Sequence, residues 1–155
     1  MAPPSSTVDV AEAYIVFSIA GTHYALASNA VKHMEMVEGV TRVPNAPEHV
    51  DGVVFSRGQV VPALNLRVRF GFDRVGYDLR SRLIVVQSGE RNIGLIVDEA
   101  REFVRIQSSA IQPPQEAMAG LDGDYVSGIV SLDGRLIVVL DLDRLMSFSA
   151  TLPTV

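Results

Sequence analysis

Cysteine is absent from this 155-residue chain. That excludes disulfides, thiolate metal sites and thiol nucleophiles, and it suits a reducing compartment such as the cytosol. Long hydrophobic runs are absent too. The longest aliphatic stretches, such as Leu136–Leu140, fall far short of the ~20 residues a spanning helix needs, so no direct membrane insertion is expected. Residues 1–11 contain no Lys or Arg and no long apolar stretch, and they are not read as a secretory signal. The formal net charge is −5, which offers no basic footprint for nucleic acid. Histidine is limited to His23, His33 and His49, with no spacing of the H-E-x-x-H kind, so surface or half-buried imidazoles are expected rather than a metal site. G-x-S-x-G, the Walker phosphate loop and G-x-G-x-x-G are all missing. Asp122-Gly123-Asp124 lacks the further oxygen ligands and the terminal Glu of a calcium loop. It reads, like Asp141 and Asp143, as loop and cap. Ser56 has no base near it in the sequence. No catalytic, cofactor-binding or metal residue is expected, and the chain is not read as an enzyme.

What the chain does have is apolar content: 48% hydrophobic residues against 20% charged, enough for a substantial core. It also has an internal repeat. Gly52–Leu66 is an apolar run, an Arg-Gly turn and a second apolar run, which is a β-hairpin pattern. The pattern returns without a gap at Gly128–Leu142, an offset of 76 from Gly52 to Gly128, with Gly52/Gly128, Val54/Val130, Gly58/Gly134, Leu64/Leu140 and Leu66/Leu142 identical. Two copies of one strand-rich unit follow. The second turn, Asp133-Gly134, suits a tight hairpin because both residues tolerate positive φ. The first, Arg57-Gly58, does not share that excuse. Either the turn type differs and Arg57 is a solvated loop cation, or Arg57 is placed to meet a partner.

In chain order, residues 1–12 read as a loose tail. Tyr14–Ile19 and Tyr24–Leu26 form a hairpin, with Leu83–Gln87 and Ile93–Val97 as its counterpart. Ala27–Ala30 makes a turn or a single helical turn. From Val31 to Val37, Met34 and Met36 alternate with His33 and Glu35, the period of a half-buried strand. Pro44 and Pro47 punctuate a loop, as Pro113-Pro114 does in the second copy. Pro62 demands that its strand be an edge there or turn its amide side outward. Gly71–Ser81 reads as a linker, Asp98–Ile106 suits either strand or short helix, and Asp141–Met146 suits a closing helix. The fold class is mainly all-β: two SH3-like five-stranded β-barrels packed side by side, with short helical turns, since so small an antiparallel sheet must curl to hide its edges. The unit spans 13–146, divided near 13–75 and 76–146 with terminal segments open to exchange, and 147–155 is a tail.

These residues resemble the CheW-type coupling proteins of bacterial chemotaxis. The resemblance rests on Tyr24-Ala25-Leu26 followed by Val31; Val43-Pro44-x-x-Pro47; Gly52-Val53-Val54-x-x-Arg57-Gly58-x-Val60-Val61-Pro62; Gly94-Leu95-Ile96-Val97-Asp98; and Gly128 leading to Leu140-Asp141-Leu142. It implies two SH3-like barrels and a non-enzymatic, cytoplasmic adaptor recruited to receptor arrays at the membrane. Its partners would be the cytoplasmic tip of a methyl-accepting chemoreceptor and the regulatory domain of a CheA-type histidine kinase. By resemblance, receptor binding falls on Val31, His33, Gly52, Arg57, Ile96 and Val97. Kinase binding falls on Thr41, Arg42, Val43 and Pro44.

The chain departs from the family pattern at His33, where glutamate is common, at Phe55-Ser56, where Asn-Leu is common, and at Asn65, where aspartate is common. A paralogous pathway controlling pili, gliding or development therefore stays open. So does a reading from another class, a small-molecule-binding or enzymatic double barrel, which requires a concave polar pocket with converging ionisable groups.

Overall fold

The computed structural model describes residues 9–114 and 125–146. Among the described residues there are ten strands: β1 (Ala11–Ile19), β2 (Thr22–Ala27), β3 (Val31–Met36), β4 (Val50–Ser56), β5 (Gln59–Asn65), β6 (Arg82–Ser88), β7 (Arg91–Val97), β8 (Glu99–Gln107), β9 (Val126–Leu132) and β10 (Arg135–Leu140). Two one-turn helices, α1 (Leu66–Arg69) and α2 (Leu142–Leu145), follow β5 and β10, and short 3-10 turns occupy Ser28–Ala30 and Ser108–Ala110. The stretch around Asp98–Ile106 is thus a strand. Residues 1–8, residues 147–155 and Asp122-Gly123-Asp124 lie outside the described residues, and Ala11 and Glu12, read from the sequence as tail, open β1 in pairing with β8. Among those described, no helix is long and apolar enough to cross a membrane.

The strands form two five-stranded sheets, ordered β8-β1-β2-β10-β9 (barrel A) and β3-β6-β7-β5-β4 (barrel B). Each draws on both halves of the chain. Hairpin β1–β2 joins β8, β9 and β10, while its counterpart β6–β7 joins β3, β4 and β5. The sheets are not purely antiparallel: β2 runs parallel to β10, and β5 to β7, where the exchanged hairpins meet the resident ones. Burial explains the exchange. Ile15, Phe17 and Ile19 of β1 and Ile93, Leu95 and Val97 of β7 pack into one core shared by both barrels. Their alternates, Val16 and Ile96, face the interiors of barrels A and B. Strands apolar on both faces must be covered on both. Only the space between two barrels provides that.

Each barrel closes by one bridge between a segment after its first edge strand and its last strand: Thr41 with Val53, and Gln112 with Ile129. The bridges sit beside the repeat's two glycines. A Cβ on Gly52 would lie 2.0 Å from the Thr41 carbonyl oxygen, and one on Gly128 2.6 Å from that of Gln112. Gly52 also has φ +148, a backbone angle closed to L side chains. Pro62 sits opposite Val53, whose amide and carbonyl both turn to Thr41 at 2.8 Å. Its missing N–H therefore faces away from β4, and pairing with β7 begins only at Ala63.

Candidate interaction site

The two repeat turns have one conformation. Arg57 and Gly58 have φ +47 and +82, and Asp133 and Gly134 have φ +51 and +78. The reading in which the turn type differs is overturned: Arg57 itself occupies the left-handed region. For a non-glycine residue without a short polar side chain, that conformation costs about 1–2 kcal/mol. Arg57 is exposed at the tip, and its side chain has no partner among the described residues.

Ser56 does have a base near it, brought by the fold and not by the sequence. His33 Nε2 lies 2.9 Å from Glu35 Oε2 and 2.9 Å from Ser56 Oγ, and Ser56 Oγ donates to Glu35 Oε2 at 2.7 Å. A carboxylate oxygen only accepts, so the proton of the imidazole pair sits on Nε2. Nε2 is then a donor and cannot take the hydroxyl proton, which already points at Glu35. The arrangement is a structural clasp between β3 and the end of β4, not a nucleophile with its base. Sequence reasoning missed it because β3 and β4 are the two ends of the sheet, and only barrel closure brings them together.

Along the other side of the tip, Asn92 Nδ2 donates to Gln59 Oε1 at 2.7 Å. Outside the hairpin, Phe55 and Val60 face each other across the strands, 73% and 43% exposed. Val31, His33 and Arg57 therefore share one end of barrel B. Ile96 and Val97 do not join them. Ile96 packs inside barrel B and Val97 in the shared core, at the opposite end of β7. Gly52 is buried against Thr41. Thr41, Arg42 and Pro44 are exposed, and Val43 is half-buried.

Between the free edges of β3 and β8 runs a groove of 390 Å³ lined by Ile15, Met34, Met36, Ala100 and Phe103, with Glu35, Arg82, Arg101 and Glu102 at its rim. A second cleft, of 440 Å³, lies under the linker and holds Arg67, Asp78, Arg80, Asp98 and Glu99. Four of these ionisable groups pair with one another, and Glu99 pairs with Arg101 outside the cleft at 3.9 Å. Arg67 meets Asp98 at 2.5 Å, and Arg80 meets Asp78 at 3.8 Å. The cleft thus has converging charges that are already committed. No group of three metal-ligating side chains occurs among the described residues.

The linker is pinned by Asp51, which takes the Arg74 guanidinium, the Tyr77 hydroxyl and, at 2.9 Å, Asn65 Nδ2. Burial pushes the Tyr77 phenol up, which keeps it a donor. Asn65 also caps α1, accepting from Val68 N at 3.3 Å, as Asp141 caps α2 from Arg144 N at 3.1 Å. An aspartate at 65 would set a second carboxylate against Asp51, so the amide there follows from its neighbour. Burial first, and then the Arg69 guanidinium, hold the His49 imidazole below its ordinary value.

The comparisons agree with this architecture. The family model described as "CheW-like domain" matches residues 13–149. The chain is 29% identical over 138 residues to a chemotaxis protein CheW of Klebsiella aerogenes, covering 89% of this chain and 83% of that protein. It is 28% identical over 142 residues to its Bacillus subtilis namesake, covering 92% and 91%. Protein FrzA of Myxococcus xanthus is 28% identical over 148 residues, covering 91% and 85%. The crystal structure of the scaffolding protein TtCheW from Thermoanaerobacter tengcongensis superposes with a TM-score of 0.81 at 31% identity, covering 88% of this chain and 93% of that one. With a family match across nearly the whole folded unit and the same double-barrel architecture, the chain belongs to the CheW-like family of chemotaxis scaffold proteins.

Proposed function

We propose that this chain is a non-enzymatic cytoplasmic adaptor. It couples the cytoplasmic tip of a methyl-accepting chemoreceptor to the regulatory domain of a CheA-type histidine kinase, with residues 13–146 as the working unit. The observation that carries this reading is the exterior of hairpin β4–β5. Exposed Phe55 and Val60 flank Arg57, which is held at φ +47 with no partner among the described residues. An apolar pair beside a free guanidinium suits an amphipathic helix that brings a carboxylate. The β3–β8 groove, lined in part by Met34, Met36 and Phe103, offers a further apolar surface.

Val31 and Arg57 are the proposed direct receptor contacts. Gly52, Ile96 and Val97 act through the fold that presents them. The loop Thr41–Pro44 is the proposed kinase-facing surface. Calorimetry with a receptor-tip fragment and with a kinase regulatory domain tests the reading. Each should bind, burying on the order of 1,000 Å² or more. Failure of both cognate partners to bind removes the proposal. Service in a paralogous pathway is favoured if the kinase that co-purifies from cells belongs to a pili, gliding or developmental system.

A further inference from the structure

The turn that carries Arg57 is anchored at both of its flanks. Ser56, just before it, is tied through His33 and Glu35 to β3, and Gln59, just after Gly58, is tied through Asn92 to β7. The duplicate turn in barrel A has no such ring before it, although the residue after it, Arg135, is tied to Glu102 of β8 at 2.9 Å. At the position of Ser56 it has Leu132, packed with Val104 and Ile111 against the interior of that barrel. Side by side, the two seams show the polar one to be a substitution for an apolar one. Packing alone suffices to close this kind of barrel. A hydrogen-bonded ring adds direction, since each of its bonds fixes an orientation as well as a distance.

We propose that His33, Glu35 and Ser56 are positioning residues. Their ring fixes the β4 end so that Arg57, in its left-handed conformation, points to the docking partner. His33 then acts through Ser56 and does not itself touch the receptor. The inference rests on the receptor-docking reading above, and it separates from that reading experimentally. The side chain of His33 is 14% exposed, which suits an internal tie better than a contact residue.

The test measures the affinity of full-length chains for a chemoreceptor-tip fragment by calorimetry, and amide exchange in residues 55–60. The variants are Ser56→Ala, His33→Ala, His33→Gln and Arg57→Ala, singly and as pairs with Arg57→Ala. Ser56→Ala and His33→Ala should weaken binding at least about threefold and speed exchange in the hairpin. Combined with Arg57→Ala, they should add little further loss, because the ring works through that guanidinium. His33→Gln keeps an N–H for Glu35 and should stay within about twofold of the parent. Ser56→Ala leaves His33 and Glu35 paired and guards against a His33→Ala chain that fails to fold.

Losses that add fully to that of Arg57→Ala, or a His33→Gln loss as large as that of His33→Ala, would make His33 a direct contact and overturn the proposal. So would unchanged affinity and unchanged exchange in Ser56→Ala. If the parent chain binds no receptor tip, the docking reading falls. The exchange data alone then decide whether the ring orders the Arg57 turn.

Discussion

The two repeat hairpins share a backbone and reverse its chemistry over the three residues entering the turn, although both leave an aliphatic side chain outside beyond it, Val60 at 43% and Leu136 at 68% exposed. In β9–β10 the side chain at the inward position is Leu132, the one beside it is exposed Ser131, and the turn begins with Asp133. In β4–β5 the inward position is Ser56, 5% exposed, its outward neighbour is Phe55, 73% exposed, and the turn begins with Arg57. The first arrangement is what folding alone favours: apolar inside, polar outside, and a residue that tolerates positive φ at the turn. The second goes against all three preferences within three consecutive residues. Local rules broken together at one place mark a surface under selection for something besides stability. The outward aromatic and the strained cation are read here as a docking tip, and the inward serine as one member of the clasp that orients it.

The largest expected effect lies where the hairpins are alike. Gly52→Ala should destabilise by more than about 2 kcal/mol in chemical denaturation, because its Cβ meets a carbonyl oxygen at a forbidden φ. Gly128→Ala should cost less, since one of its two closest neighbours is the flexible Ile111 side chain. Equal costs would mean that backbone angle contributes nothing to the difference. Next comes the apolar seam. Leu132→Ser should cost about 1–3 kcal/mol, as a partly buried leucine is lost.

Arg57→Asn should separate stability from function. Asparagine tolerates the left-handed turn, so the chain should gain up to about 1 kcal/mol while receptor-tip affinity falls at least about tenfold. A variant that becomes less stable, or that binds as before, would remove the functional contrast between the two turns. The smallest effect is one of pH. His49 is held below its ordinary value by burial and Arg69, and His23 by burial, Arg101 and Arg135. Both are therefore favoured neutral in the fold. Their contribution should be complete above about pH 6.5 and decline as the pH falls below it, where the unfolded chain takes up protons that the fold resists. Melting temperatures between pH 7.5 and 5.5 should show this decline, and His49→Gln should flatten part of it.

Much of the architecture was legible because the repeat is literal. A gapless offset carried the hairpin from one copy to the other, and Asp141–Met146 read as a closing helix, whereas its counterpart α1, capped by Asn65, was not drawn from the same offset. What sequence reasoning could not reach was how the copies are shared out. The strand periods of Ile15–Ile19 and Ile93–Val97 give apolar residues on both faces, but not which barrel each face enters. The parallel joins β2–β10 and β5–β7 are long-range contacts with no local signal. The clasp was hidden for the same reason, since His33 and Ser56 are 23 positions apart and meet only when the sheet closes. Residues 31, 33 and 57 do converge, whereas Ile96 and Val97, grouped with them by resemblance, are turned inward by the alternation of β7.

The most direct measurement of the account is a three-component sedimentation experiment. It combines the full chain, a cognate chemoreceptor-tip fragment and a cognate CheA-type regulatory domain, with the parent protein and Arg57→Glu in parallel. The account predicts a ternary complex with the parent. With Arg57→Glu it predicts a binary complex with the kinase domain alone, the fold being intact. A parent chain that sediments free of both partners, or an Arg57→Glu chain that holds the receptor tip as well as the parent does, would contradict it.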